Sequence, residues 1–224
     1  SWFQTFLAQR VAGYLSGELG TEIAIDKVDI VFFDLVNIEG VYVEDKLQDT
    51  LLYSELIHAN IADLSFSESF VDIEQVLLKN TTGNIKKYEG DSTFNFQHLI
   101  DYFASEEKDT SASSPFDVNV REVVLDNINF VYADQNARKN PYGLDYSNLA
   151  VQNLSGTFSE FSFEGDEIRS KIESLHFKEQ SGFVLAKLST DLLYSPTLLS
   201  LKDLRLAFNN SVLVSDQFEM VTPN

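Results

Sequence analysis

The sequence predicts a mainly β protein, built as an elongated, twisted and curved antiparallel sheet of repeated bulged strands. An N-terminal amphipathic helix and one short inserted helix complete the prediction. Two observations lead to this fold class. One apolar spacing recurs along the chain, and 18 Phe and 9 Tyr stand against a single Met and a single Trp. That balance is more typical of strands than of helical bundles.

The recurring spacing is clearest in residues 23–30, where the apolar residues fall at i, i+2, i+5 and i+7. A helix would scatter these four side chains around its axis. A strand would place two on each face, unless one extra residue, a β-bulge at Asp26 or Lys27, brings all four to one side. The same spacing returns, complete or in part, in these sets: Val71, Ile73, Val76, Leu78; Val118, Val120, Val123, Leu125; Leu199, Leu201, Leu204, Leu206; Leu149, Val151, Leu154; Phe158, Phe161, Phe163; Phe183, Leu185, Leu188.

The first element, Trp2–Leu19, has apolar residues at three- and four-residue spacing, which predicts an amphipathic helix ending near Gly17 and Gly20. Its apolar stripe consists of Phe3, Phe6, Leu7, Val11, Tyr14, Leu15 and Leu19. Two interpretations of this stripe remain open. It covers one end of a β core, or it lies on a membrane surface.

Strand-like sequence fills residues 22–89, and a helical stripe follows at 94–103 with Ser92 or Asn95 as candidate N-caps. After it, 106–115 is rich in Ser and charged residues, and strand patterning then resumes. Residues 36–44 are similar to 126–134, which suggests a repeated unit of several strands. We therefore expect one continuous structure over 1–224. Its parts are an N-terminal helix (1–20), a first β repeat (21–92), a helix (93–105), a flexible linker (106–115) and a second β repeat (116–224).

The net charge of −19, from 16 Lys+Arg and 35 Asp+Glu, disfavours binding to polyanions, so we expect no nucleic-acid partner. The acidic residues are interleaved with apolar ones, as expected for the solvated faces of strands. Cys is absent, so the chain forms no disulfide. No apolar run approaches the roughly 20 residues of a membrane-spanning helix.

Residues that would carry catalysis or bind a metal are sparse. The three His, at 58, 98 and 176, have no second His or Cys at ligand spacing. Glu55 and His58 have the spacing of a helical metal motif, but they lie in strand-like sequence, which places them on opposite faces. No nucleotide-binding or hydrolase motif occurs. We expect no enzymatic activity, no cofactor and no metal.

Four segments, taken in order, resemble the N-terminal periplasmic region of the TamB-like proteins, the translocation and assembly module family of the AsmA-like superfamily. They are Gln4-Thr-Phe-Leu-Ala-Gln with Tyr14-Leu15 and Leu19-Gly20; Val41-Tyr-Val-Glu-Asp with Asp49-Thr-Leu-Leu-Tyr53; Asp91-Ser-Thr-Phe-Asn-Phe-Gln; and Gly143-Leu-Asp-Tyr-Ser through Gly165-Asp166 to Phe177-Lys-Glu-Gln-Ser-Gly-Phe183. Together they extend over nearly the whole chain.

This resemblance implies an inner-membrane anchor upstream of the chain and a long periplasmic β structure in a diderm bacterium. The apolar side of that structure forms an open groove that carries phospholipid acyl chains from the inner to the outer membrane. Some members of the family also pair with a BamA-family outer-membrane barrel through a C-terminal region, and they assist outer-membrane protein assembly. That C-terminal region is absent here, which puts barrel pairing in doubt for this chain.

The alternation of the strands alone favours a closed sandwich, in which the apolar side is the core of a structural or adhesive module. The resemblance favours the open groove instead. In the groove interpretation, the lipid-facing side is formed by Ile25, Val28, Ile30, Ile73, Val76, Leu78, Val120, Val123, Leu125, Leu185, Leu188, Leu201, Leu204 and Leu206.

Overall fold

The computed structural model describes residues 2–32, 34–65, 70–106, 117–164 and 166–221. Helix α1 (Trp2–Leu19) precedes four strands, and helix α2 (Gln97–Glu106) precedes six more. The strands are β1 (Ile23–Val31), β2 (Leu35–Glu44), β3 (Thr50–Ser65), β4 (Phe70–Lys87), β5 (Asp117–Asp134), β6 (Asn148–Glu164), β7 (Glu167–Glu179), β8 (Val184–Ser195), β9 (Leu198–Phe208) and β10 (Ser211–Val221).

All ten strands belong to one sheet, in which every strand lies beside its sequence neighbours in the order β1 to β10. The sheet is not closed, so β1 and β10 form its two edges. The predicted fold class is confirmed at this level: a mainly β chain with an N-terminal helix and one short inserted helix. The stretch predicted as the first β repeat holds four strands, and the second holds six.

The prediction of an antiparallel sheet is wrong for one pair of strands. β4 and β5 are parallel, with Phe70 opposite Asp117 and Lys87 opposite Asp134. Residues 88–116 connect the two strands, and β5 starts at the end of the sheet where β4 begins, so the two strands run in the same direction. A parallel connection needs a dozen residues or more, and this segment supplies them. The predicted flexible linker (106–115) lies, apart from Glu106, outside the described residues.

Helix α2 begins at Gln97, four residues after the predicted start at 93, and Asn95 does not cap it. The Asn95 side chain instead accepts a hydrogen bond from the Lys86 N–H at 3.0 Å and donates one to Asp45 at 2.9 Å. Just before α2, the ring of Phe94 lies 5.8 Å from that of Tyr132 on β5. The residues just before α2 therefore pack against the end of the sheet, whereas α2 itself approaches α1.

The bounds of α1 agree with the prediction, but its orientation does not fit the first of the two interpretations, in which the apolar stripe covers one end of the β core. The side that faces the sheet carries polar side chains beside small or aliphatic ones, and most of the predicted apolar stripe is exposed. Ala12 and Leu19 are buried, whereas Phe3, Leu7 and Tyr14 are exposed. The reason is that α1 lies along the edge of β1, where backbone N–H and C=O groups need hydrogen-bonding partners, and does not lie across a face of the sheet.

The accessible surface of the chain is 14190 Å², whereas a compact monomer of this mass exposes about 10,300 Å². A single layer explains the excess. Among the described residues, helices and strands approach each other within 8 Å (Cα to Cα) only between sheet neighbours, between α1 and β1, and between α1 and α2. The sheet is thus a ribbon of strands with α1 along one edge.

Candidate functional site

The hydrogen bonds between α1 and β1 show on which face the first apolar set lies. Side chains of α1 bond to backbone groups of Ile23, Ile25, Val28 and Ile30. In a strand, residues whose N–H and C=O point to the same edge carry their side chains on the same face. Ile25 and Val28 are three positions apart instead of two, so the predicted extra residue lies between them. All four side chains therefore share one face. We call this face A and the opposite one face B.

The pairing of β6 with β5 shows that β5 also contains an extra residue. Leu154 and Gly156, two apart in β6, lie opposite Ile128 and Leu125, which are three apart in β5. The register carries this assignment through the remaining strands, because residues directly opposite each other share a face. All fourteen positions predicted to face lipid lie on face A by this register, whereas their binding to lipid stays a prediction.

The extra residues form a row across the sheet. Gly40, Asn80, Asn127 and Asn153 all have positive φ, at 64°, 48°, 58° and 52°. Asn and Gly tolerate this left-handed conformation best. Only Gly fits at position 40, because a Cβ there would lie 2.0 Å from Asp26 Oδ2.

Side-chain amides join this row into a ladder. Asn153 donates to Asn127 at 2.9 Å, Asn127 donates to Asn80 at 2.7 Å, and Asn80 donates to Glu55 at 2.7 Å. We call these four residues the amide ladder. Every strand from β1 to β6 has one extra residue at this row, so opposite residues stay paired on both sides of the row. The extra residue also returns the apolar side chains beyond the row to face A.

Face A carries one nearly continuous aliphatic row from edge to edge. Its members, in strand order, are Val28, Ile38, Ile57, Leu78, Leu125, Gly156, Leu175, Leu188, Leu206 and Leu213. The single Gly is explained by its neighbour, since a Cβ at Gly156 would lie 2.9 Å from Leu175 Cδ1. Ten strands about 4.8 Å apart make this row about 43 Å long.

The fourteen predicted residues are covered unevenly. Val28, Leu185 and Leu204 are buried at 8%, 5% and 3% exposure, Ile30 is 37% exposed, and the other ten are half-buried. All described strands form a single sheet, so this cover comes from neighbouring strands and, beside β1, from α1. Face A also includes a polar pair, Ser54 and Thr81, whose hydroxyls lie 2.7 Å apart and satisfy each other.

Sequence reasoning missed other residues of face A, although the signal was present. Val36, Ile38, Val41 and Val43 of β2 repeat the spacing of β1 and lie opposite its apolar set. In β3 the same spacing is interrupted by Ser54, and in β10 it reads Leu213, Ser215, Phe218 and Met220. In β3 and β10 a polar residue at one of four positions hides the pattern, whereas β2 carries the pattern complete.

A buried polar cluster holds the end of the sheet nearest α2. Asp45, 1% exposed, accepts hydrogen bonds from Tyr88 Oη at 2.5 Å and from Asn95 Nδ2 at 2.9 Å. It also accepts the backbone N–H groups of Leu47 and Asp49. Burial raises the pKa of Asp45, but these hydrogen bonds outweigh it, and the net pKa lies below its ordinary value. Burial and the two carboxylates, Asp45 and Asp49, raise the pKa of Tyr88.

Face B carries polar pairs between neighbouring strands. The Arg121 guanidinium bonds to both carboxylate oxygens of Asp72, and this hydrogen bond lowers the pKa of Asp72. Gln75 donates to Glu122 at 2.5 Å. Arg205 of β9, opposite Ser189, lies on the same face. These contacts leave the carboxylates of face B paired or solvated.

The histidines and carboxylates noted in the sequence have separate partners. His58 Nδ1 lies 2.7 Å from Asn37 Oδ1, and Glu55 accepts the amide of Asn80. His98, at the start of α2, is partly buried and bonds to the carbonyl of Asn95 at 3.0 Å. Within the described ranges, no three His, Asp or Glu side chains come together as a metal site. None of the described helices has the length and hydropathy needed to span a membrane.

Comparison with known proteins adds no relative: no family model, no curated protein and no solved structure matches this chain.

Proposed function

We propose that face A binds phospholipid acyl chains and that the protein is a non-enzymatic lipid conduit. The observation that carries this proposal is the aliphatic row from Val28 to Leu213, which crosses ten strands of an unclosed sheet. At about 43 Å it is almost three times the length of one acyl chain, which is about 15 Å, half of a bilayer's hydrocarbon core. That length suits passage along a surface better than storage in a pocket.

The physical argument rests on what covers the aliphatic side chains. Apolar surface in contact with water costs about 25 cal/mol per Å², and acyl chains would remove it. Because the contacts are uniform and weak, a bound chain could slide along the row without crossing large barriers. Head groups would stay in water at the margins of face A, so we expect little selectivity among phospholipid classes.

The cellular setting follows from the sequence resemblance to TamB-like proteins. In that setting the chain is periplasmic, it is held at the inner membrane through an anchor upstream, and it moves phospholipid toward the outer membrane. A role in outer-membrane protein assembly would require a BamA-family barrel, which the family contacts through a C-terminal region. No nucleic acid is expected as a partner, because the protein carries a net charge of −19.

Site-specific photo-crosslinking tests the proposal directly. A benzophenone side chain placed at Val123 on face A should capture phospholipid in cells, whereas one at the neighbouring Glu122 on face B should not. Native mass spectrometry of detergent-free protein should show phospholipid near one per chain or above. Equal labelling at both positions, or protein that is persistently free of lipid, would contradict the proposal.

The competing proposal is a structural or adhesive module in which face A is covered by protein. Val123→Asp separates the two, because Val123 is half-buried in the sheet. On an exposed lipid surface the new carboxylate reaches water, so the fold persists and bound lipid falls. In a closed core the same charge costs several kcal/mol, about the total stability of many domains. Unfolding measured in urea, beside lipid content, distinguishes these outcomes.

A further inference from the structure

The outer side of α1, which points away from β1, is a second apolar surface. It consists of Trp2, Phe3, Phe6, Leu7, Val11 and Tyr14, all of them exposed. Trp2 is 81% exposed and Phe3 is 58% exposed. A Cβ built at Gly13 or Gly17 would meet no atom within 4 Å, so the space beyond this side is open.

The docking of α1 fixes which side points outward. Thr5 Oγ1 exchanges two hydrogen bonds of 3.0 Å with the backbone of Val28, and Ser16 Oγ accepts the Ile23 N–H at 2.8 Å. Gln4 and Gln9 bond to further backbone groups of β1. Four polar side chains thus hold the helix by one side. The aromatic side cannot turn inward without breaking these bonds.

The charge distribution indicates what this surface contacts. Residues 2–17 contain one charged group, Arg10, whose guanidinium lies 5.2 Å from the centre of the Phe6 ring. The chain as a whole has 35 Asp+Glu, and none of them lies in this stretch. A stretch of helix without carboxylates and with one Arg can approach lipid phosphates, which the rest of the surface repels. The one carboxylate of α1, Glu18, lies beyond this stretch at the C-terminal end of the helix.

The residue types narrow the partner further. Trp, Tyr and Phe on one side of a helix are typical of the interface between water and hydrocarbon, where the polar edges of Trp and Tyr stay hydrated. A helix in this position buries its apolar side about 5–10 Å into the lipid boundary and does not span it.

We propose that α1 lies in the surface of a lipid bilayer through this outer side and so places the β1 edge of the sheet against the membrane. The contact is non-covalent and reversible. It does not depend on lipid binding by face A, and it would hold for a protein with any role at a membrane.

The chain carries its own probe for this contact. Trp2 is its single Trp. On titration of the lipid-free protein with phosphatidylcholine vesicles, its fluorescence should shift to shorter wavelength, and lipids brominated near the head group should quench it. Phe3→Glu and Leu7→Glu should each weaken partitioning by at least about tenfold, since burial of one large apolar side chain is worth that factor or more.

The matched controls are Val212→Glu and Val214→Glu on β10, which also replace exposed apolar residues, 76% and 65% exposed, by Glu. They should bind vesicles as the parent protein does. Absence of a Trp2 shift, or equal losses in α1 and β10 variants, would overturn the proposal. All four positions are exposed, so unfolding midpoints should stay unchanged. Lipid content without vesicles reports on face A, and vesicle partitioning reports on α1, so the two proposals fail separately.

Discussion

The two edges of the sheet differ in whether their outward backbone groups have hydrogen-bonding partners. At β1, the side chains of Gln4, Thr5, Gln9 and Ser16 bond to the outward backbone groups of the strand. At the other edge, β9 is the one neighbour of β10 among the described strands, and nearly all residues of β10 are exposed. β10 also lacks the Lys or Pro that commonly protects an edge strand. The first edge is closed to a further strand, whereas the second keeps its pairing capacity.

This difference explains the orientation of α1. A helix that packs on the face of a sheet buries an apolar stripe, because it covers side chains. A helix that packs on the edge of a sheet must bring donors and acceptors, because it covers backbone. The amide and hydroxyl side chains of α1 therefore point inward, and its aromatic residues are left on the outside.

The largest difference between the two edges is expected from removing the hydrogen bonds at the closed edge. Thr5→Val keeps the side-chain shape but leaves the N–H and C=O of Val28 without partners, and Ser16→Ala does the same at Ile23. We expect the double variant to lose about 2–4 kcal/mol of unfolding free energy, since unsatisfied buried polar groups cost about 1–3 kcal/mol each. Urea denaturation measures the loss.

The open edge supplies the control. Ser215 on β10 is half-buried, but the hydrogen bond that it donates to the carbonyl of Gln217, at 2.8 Å, is exposed. Ser215→Ala should change stability by less than about 0.5 kcal/mol, because water replaces the lost bond. Equal effects at the two edges would mean that α1 does not stabilise β1.

A smaller effect should follow from acid, through the cluster at Asp45. The adjacent Lys46 donates to the carbonyl of Leu19 and so holds the C-terminal end of α1. The pKa of Asp45 is lower in the folded than in the unfolded protein, where it is near 3.8. The unfolded state therefore takes up the proton first, and the stability that Asp45 contributes is full above pH 4 and is lost as the pH falls through the folded pKa.

The variant Asp45→Asn tests this contribution. The substitution replaces a carboxylate oxygen, which accepts hydrogen bonds, by an amide N–H group, which faces the donors of Tyr88 and Asn95. We therefore expect the free energy of unfolding to fall by about 1–3 kcal/mol at neutral pH. Its stability should also depend less on pH between about 4 and 2 than that of the parent protein. Thermal unfolding at several pH values gives both quantities. A parallel decline of variant and parent would assign the acid dependence to other carboxylates.

Much of the sheet could be predicted because its information is local. The side chains of Ile23, Ile25, Val28 and Ile30 can share one face only if the strand contains one extra residue, and the backbone contains it. The bounds of α1 followed from apolar periodicity and from Gly20, whose φ is 60° and whose N–H bonds to Ser16 O at 2.9 Å. Both features depend on neighbours within a few positions.

The parts that escaped prediction depend on distant residues. The parallel pairing of β4 and β5 is set by the path of a long crossover, which the pattern of either strand does not encode. The amide ladder joins Glu55 to Asn153 through residues that look like isolated turn signals in the sequence. The orientation of α1 depends on its packing against the edge of a sheet, which helical periodicity does not predict.

Hydrogen exchange gives a third, smaller contrast between the edges. The amides of Val28 and Ile30 point away from β2 but donate to Thr5 and Gln4 at 3.0 and 3.2 Å. The β10 amides that point away from β9 face the open edge. We expect exchange at least about tenfold slower for the first group, measured by NMR at constant pH, because exchange requires opening of the bond. Equal rates would mean that α1 undocks readily.

The smallest effect is expected on the outer side of α1 itself. Val11 is 52% exposed and the adjacent Ala12 is 3% exposed. Val11→Glu should change the unfolding free energy by less than about 0.5 kcal/mol, because the new side chain stays in water. Phe6→Glu should be equally mild, since it loses the contact with Arg10 but gains a Glu–Arg pair four residues apart. Ala12→Glu should cost several kcal/mol, because it buries a charge against β1. Urea denaturation of the three variants decides between the two sides of the helix. If Val11→Glu were as damaging as Ala12→Glu, the apolar stripe would pack on the protein after all, and the contrast between the two edges would lose its explanation.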